Sequence, residues 1–75
     1  MATLQRFSKS RVVMYLDDHP PPHVHVKLKD GRDCIVELDG LLIKGQVAAR
    51  EIREALDWVE ANLDFLFEQW LRSHP

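Results

Sequence analysis

All three glycines and three of the four prolines fall within the first 45 residues, at positions 20–22, 31, 40 and 45; the next is Pro75. Gly and Pro turn the chain or end regular elements, so the front of this sequence is cut into pieces short enough for strands and turns. The back is an uninterrupted run. Strands followed by helix is the expected outline: an α+β fold with a three- or four-stranded antiparallel sheet and a C-terminal helix packed on it. A chain of 75 residues fits one domain, 1–75, strand-rich over 1–46 and helical over 47–73.

The helical expectation rests on periodicity. Between Ala48 and Arg72, Ile52, Leu56, Val59, Leu63, Leu66 and Trp70 follow one another at spacings of four, three, four, three and four, and Ala55, Phe67 and Leu71 widen the stripe. As one piece these residues would reach about 37 Å, more than the roughly 25 Å diameter of so small a globule. A break near Asn62–Asp64 is therefore expected, with Asn62 capping a second helix and Asp64 in its first turn. The alternative is one long helix that projects and pairs with another chain. Glu51, Glu54, Asp57, Glu60 and Asp64 form an acidic, solvated stripe. Trp58 lies off the apolar seam, where it covers the sheet or anchors an interface.

In the front part, Thr3–Phe7 reads as a short strand, and Arg11–Leu16 as a strand apolar on both faces. Pro20–Pro22 lacks ladder donors and is expected to be an extended, polyproline-like connection. His23–Lys29 alternates, with Val24, Val26 and Leu28 on one face and His23, His25, Lys27 and Lys29 on the other. Arg32–Leu38 alternates as well, with Cys34, Val36 and Leu38 apolar. Parity selects the turn between these two strands. A two-residue Asp30–Gly31 loop would place Asp33 and Glu37 on the valine face. A three-residue loop, Lys29–Asp30–Gly31, pairs Leu28 with Arg32, Val26 with Cys34 and Val24 with Val36, so that all apolar side chains share one face. The other face then carries His23 beside Glu37, His25 beside Ile35 and Lys27 beside Asp33.

Composition bounds the surroundings. A single cysteine, Cys34, makes no internal disulfide, which points to a reducing, cytoplasmic home. No apolar run resembles a signal peptide or spans a bilayer, so no membrane partner is expected. The net charge of −2 is unevenly spread: residues 1–33 carry six Lys/Arg against four Asp, residues 34–75 four against eight acids. The front half suits an anionic partner, although the balance is too mild to mark nucleic-acid binding by itself. Marginal size favours a homodimer or a cognate protein.

The chemistry-bearing segment is Asp17–Asp18–His19–Pro20–Pro21–Pro22–His23–Val24–His25–Val26. With Tyr15 and Leu16 before it, it resembles the P-P-H-x-H-V signature of a family of small bacterial proteins known only as domain of unknown function 4160. The likeness continues at Leu38–Asp39, at Ala49–Arg50–Glu51–Ile52–Arg53–Glu54 and at Leu66–Phe67–Glu68–Gln69–Trp70. Two positions depart from the pattern: Pro20 stands where Asn is common, and Ala48 where a capping Ser is usual. The resemblance implies a two-protein, toxin–antitoxin-like module acting through protein binding. It brings no established reaction, and it maps only Pro21, Pro22, His23 and His25 as motif positions.

Several readings of the segment remain open. In the plainest, the histidines decorate a solvated strand face. In a binding role, His19, Pro21, Pro22, His23, His25 and Glu37 form the surface. In a metal site, His23 and His25 project together from one strand, and His19, or Asp17, Asp18 or Glu37, completes the set for Zn²⁺ or another imidazole-preferring ion. The sequence itself requires no cofactor. In a metal-independent ribonuclease-like toxin, His23 and His25 serve as base and acid, and Lys27, Arg11 or Arg32 steadies the phosphorane charge on an RNA substrate.

Overall fold

A computed structural model of the chain describes residues 2–15 and 18–73, Ala2 by its backbone alone. The fold is α+β. Five strands, β1 (Ala2–Arg6), β2 (Ser10–Met14), β3 (His23–Leu28), β4 (Asp33–Glu37) and β5 (Ile43–Lys44), form one antiparallel sheet in sequence order. A 3-10 turn at Ala49–Ile52 leads into α1 (Arg53–Ala61) and α2 (Leu63–Ser73). The sheet has one strand more than the upper expectation. β5 is only two residues long, pairing Ile43 with Val36 and Lys44 with Ile35, and a pair of residues shows no periodicity to read.

The β3–β4 hairpin adopts the register that parity selects. Val24 faces Val36, Val26 faces Cys34, and His23, His25 and Lys27 face Glu37, Ile35 and Asp33. The Leu28 N–H donates to the Arg32 carbonyl at 2.8 Å, and Gly31 sits at a φ of +98°, the left-handed position such a loop needs. β2 lies between β1 and β3, with Val12 opposite Val26 and Val13 opposite His25.

One face of this sheet is apolar. Val12, Met14, Val24, Val26, Cys34 and Val36 join Leu38, Ile52, Leu56, Val59, Leu66 and Trp70 in a single buried cluster. Val13 is buried too, but it lies outside that cluster, on the face the helices do not cover. Trp58 covers rather than projects: half-buried against the cluster, its ring meets Phe7 edge-on at 6.5 Å.

The helical run breaks where expected, at Asn62, and the molecule measures 33 × 21 × 19 Å. The capping differs from expectation. The Asn62 carbonyl accepts from the Leu66 N–H at 2.9 Å and so begins α2, but the side-chain amide turns back to donate to the Trp58 carbonyl at 2.8 Å. It closes α1 and does not cap α2. At the other end, Ala48 supplies no capping side chain. Glu51 compensates by accepting from the Ala48 N–H at 2.8 Å, half of a capping box. No helix is long and apolar enough to cross a membrane.

Candidate functional site

β3 starts immediately after Pro22, so His23 is the first residue held by the sheet ladder, and His25 projects from the same face two residues on. The approach is not a continuous polyproline-like extension, because the Pro20–Pro21 peptide is cis. Pro22 is bound to the sheet through its carbonyl, which accepts from the Leu38 N–H at 3.0 Å. Asp17, a candidate ligand from the sequence, lies outside the described residues.

Asp18 is the residue that organises the site. Its Oδ2 accepts from His23 Nε2 at 2.7 Å and from His25 Nε2 at 3.1 Å. The Pro21 carbonyl takes the other His23 nitrogen, Nδ1, at 2.7 Å. A carbonyl and a carboxylate both only accept, so both ring nitrogens of His23 face acceptors, which fixes the orientation of the imidazole. Burial opposes the Asp18 charge, but the hydrogen bonds from His25 and His23 outweigh it and hold the carboxyl at about 2. It is therefore ionised near neutral pH.

The solvated-face expectation for His23 is thus corrected: the side chain is 4% exposed, with the Trp70 ring 5.1 Å away. The end of α2 and the folded-back proline segment bury it. His25 and Asp18, each 18% exposed, stay within reach of solvent. Tyr15 stands edge-on to His25 at 4.5 Å. Neither Tyr15 nor Asp18 stands out as a site residue in the linear pattern, because nothing in it shows a loop folding back over its own strand.

The other candidates are placed differently. His19 is 86% exposed; its Nδ1 is 3.3 Å from Asp18 Oδ1, outside the group formed by Asp18, His23 and His25. Glu37 is opposite His23 in register, but its carboxylate pairs with Lys44 at 2.8 Å. Lys27 lies 3.6 Å from Asp33, with its ammonium 5.7 Å from the centre of the Tyr15 ring. A hydrogen bond with Tyr15, supported by the Asp33 charge, moves the Lys27 pKa upward. Arg11 is the β2 partner of Lys27. Arg32 is committed elsewhere, to Asp30 at 2.8 Å and Glu51 at 2.9 Å. Cys34 is buried on the apolar face, where desolvation pushes its thiol up to about 11.

Among the described residues, only Asp18, His23 and His25 bring three metal-capable atoms together, all within 4.8 Å of one another. His23 and His25 are the two histidines of the P-P-H-x-H-V string, Asp18 precedes it, and a family model matches the chain over residues 10–71, string included; it is described as a domain of unknown function (DUF4160). The chain belongs to this family. No curated protein and no solved structure matches it. Membership of the DUF4160 family thus identifies the motif without assigning it a reaction, and the chemistry rests on the geometry of Asp18, His23 and His25.

Proposed function

We propose that the motif builds a mononuclear site for a divalent first-row metal ion of the Zn²⁺ type, with His23 Nε2, His25 Nε2 and one Asp18 oxygen as protein ligands. The observation that carries this reading is the commitment of His23 Nδ1 to the Pro21 carbonyl. A metal-bound histidine typically donates its other N–H to a carbonyl or carboxylate, which fixes the tautomer and aims the second nitrogen. Here the second nitrogen is aimed at the carboxylate that also meets His25. Ligand atoms around a tetrahedral Zn²⁺ stand about 3.3 Å apart, given bonds of about 2.0–2.1 Å. The three atoms lie close enough that shifts on the order of 1 Å would admit the ion. Two imidazoles and one carboxylate leave a coordination position for water or an anion, as in catalytic rather than structural zinc sites.

Metal-independent use of His23 and His25 as base and acid is less well supported, because both rings spend Nε2 on the same carboxylate. Partnership with a cognate small protein, as in a toxin–antitoxin-like module, is a separate proposal. Phe65 and Leu71, exposed on α2, are its candidate anchors, and co-purification with the neighbouring gene product tests it.

The metal reading is tested on tag-free, EDTA-treated and dialysed protein by calorimetric titration and thermal shift with Zn²⁺, Ni²⁺, Co²⁺ and Mn²⁺. One equivalent of at least one ion should bind and raise the melting temperature in proportion to ln[metal]. His25→Ala and Asp18→Asn, both folded by circular dichroism, should weaken binding at least tenfold. Absence of uptake by the wild type, or undiminished binding by both variants, would end this reading.

A further inference from the structure

Away from the histidines, the same open face carries a row of like charges. Arg6 on β1 is the direct partner of Arg11 on β2, and Arg11 is the direct partner of Lys27 on β3. Partners across a ladder share a face, with Cβ atoms about 4.5–5.5 Å apart, and like charges in that relation destabilise a sheet. Three adjacent strands thus present three cations in line, over about 10 Å at ordinary strand spacing. Among the described residues an acidic partner stands only at the far end of the row, where Asp33 follows Lys27. Arg6 and Arg11 make no ion pair or side-chain hydrogen bond among the described residues.

The row opens into a groove of about 690 Å³ between the β1–β2 and β3–β4 turns, also lined by Lys29 and with Asp33 as its sole carboxylate. Lys29 likewise has no acidic partner among the described residues. The helices pack on the opposite face, and among the described residues no carboxylate other than Asp33 pairs with this row. The mild net charge of the whole chain conceals it, because residues 34–75 carry eight acids against four Lys/Arg.

We infer that the Arg6–Arg11–Lys27 row and Lys29 bind the phosphodiester backbone of single-stranded nucleic acid. A linear array suits a polymer with regularly repeated phosphates better than a single small anion, and guanidinium forks match phosphate oxygens in pairs. Half-buried Tyr15, beside Lys27, adds an aromatic surface of the kind on which bases stack. This inference does not rest on the metal reading, and its test is run in EDTA so that the two fail separately.

The probe is a fluorescein-labelled dodecamer, oligouridylate or oligothymidylate, titrated with the full chain by fluorescence anisotropy at several salt concentrations. Binding should weaken with salt, with a log–log slope of about −2 to −3, as expected for three or four phosphates at about 0.7 each on a single strand. The double variant Arg6→Gln/Arg11→Gln should bind at least tenfold more weakly and lose about 1.4 of that slope. Its melting temperature should hold or rise, because a repulsive pair is gone. Arg72→Gln, on α2, should bind like the wild type. Preference between the two oligomers distinguishes RNA from DNA within the same chemistry. The inference is overturned if neither oligomer binds at low salt or if the double variant binds unchanged. It is equally overturned if polyglutamate displaces the oligomers at equal charge concentration, since the row would then be reading an acidic protein.

Discussion

On the helix-covered face of the sheet, Val12, Val24, Val26 and Val36 are fully buried members of one hydrophobic cluster; across the same strands, on the other face, stand Arg11, His23, His25 and Lys27. The two faces treat ionisable groups in opposite ways. For Cys34, on the covered face, desolvation and, after it, the neighbouring Asp33 charge both oppose a thiolate and carry its pKa up to about 11. Asp18, lying over the open face, is also penalised by burial, yet hydrogen bonds from His25 and His23 bring it down to about 2. Burial therefore does not by itself make a group inert in this molecule. What matters is whether polar partners accompany it, and only the open face supplies them.

If the covered face carries stability and the open face carries chemistry, the largest loss should come from the core. Leu66 on α2 is fully buried. Leu66→Ala should cost about 2–5 kcal/mol by lost transfer energy and residual cavity, measured by urea unfolding, while metal uptake by the folded fraction is unchanged. Smaller, and different between its two members, is the effect of the histidine pair. His23→Ala leaves the Pro21 carbonyl without its donor and Asp18 Oδ2 with His25 alone, and empties the space beside Trp70, a cost on the order of 3 kcal/mol. His25→Ala removes one hydrogen bond at a solvent-accessible position and should cost about 1 kcal/mol. Equal costs in the same unfolding assay would mean that His23 is no more structural than His25, and the comparison would blur.

Much of this arrangement was legible in the sequence, for identifiable reasons. Parity along His23–Lys29 and Arg32–Leu38 admits one register that keeps every apolar side chain on one face, and that register is present. The break at Asn62 followed from comparing helix length with globule size. What escaped depends on contacts between segments with no mutual periodicity. Asp18 reaches His23 and His25 because the chain between them folds back, and a string of prolines does not announce in which direction it turns. The Arg6–Arg11–Lys27 row needs the β1–β2 register, which shifts between Thr3 and Gln5. Counting residues back from the turn would not have anticipated that irregularity. Trp70 was legible as a core residue from its place in the helical stripe, but not as the wall against which His23 rests.

The thiol provides a pH test of the covered face. Its folded-state pKa is raised from an ordinary 9.0 to about 11, so the folded state holds this proton more tightly than the unfolded state does. The associated stability is fully present below about pH 9 and is lost as pH rises towards 11. Unfolding free energy measured across that window should fall for the wild type. In Cys34→Val, which keeps the site apolar, that component of the slope should vanish. A slope unchanged by the substitution would mean that other groups dominate the alkaline transition and that Cys34 is not isolated from water as its 4% exposure indicates.

The smallest effect is expected where charge sits on the outer helix surface, which belongs to neither face of the sheet. Arg53 and Asp57 are four residues apart on α1 with 4.0 Å between their charged groups, and both are more than 60% exposed. Solvent screens such pairs, and a base placed N-terminal to an acid is the less favourable order along a helix. Asp57→Asn should therefore change unfolding free energy by no more than about 0.5 kcal/mol. It should also leave metal uptake and oligonucleotide affinity untouched. The contrast with Arg11 is the informative part, because Arg11 is also charged but stands between two other cations on a sheet face. If neutralising Asp57 disturbed binding as much as neutralising Arg11 does, affinity would be following net charge and not the row, and the open face would lose its special status.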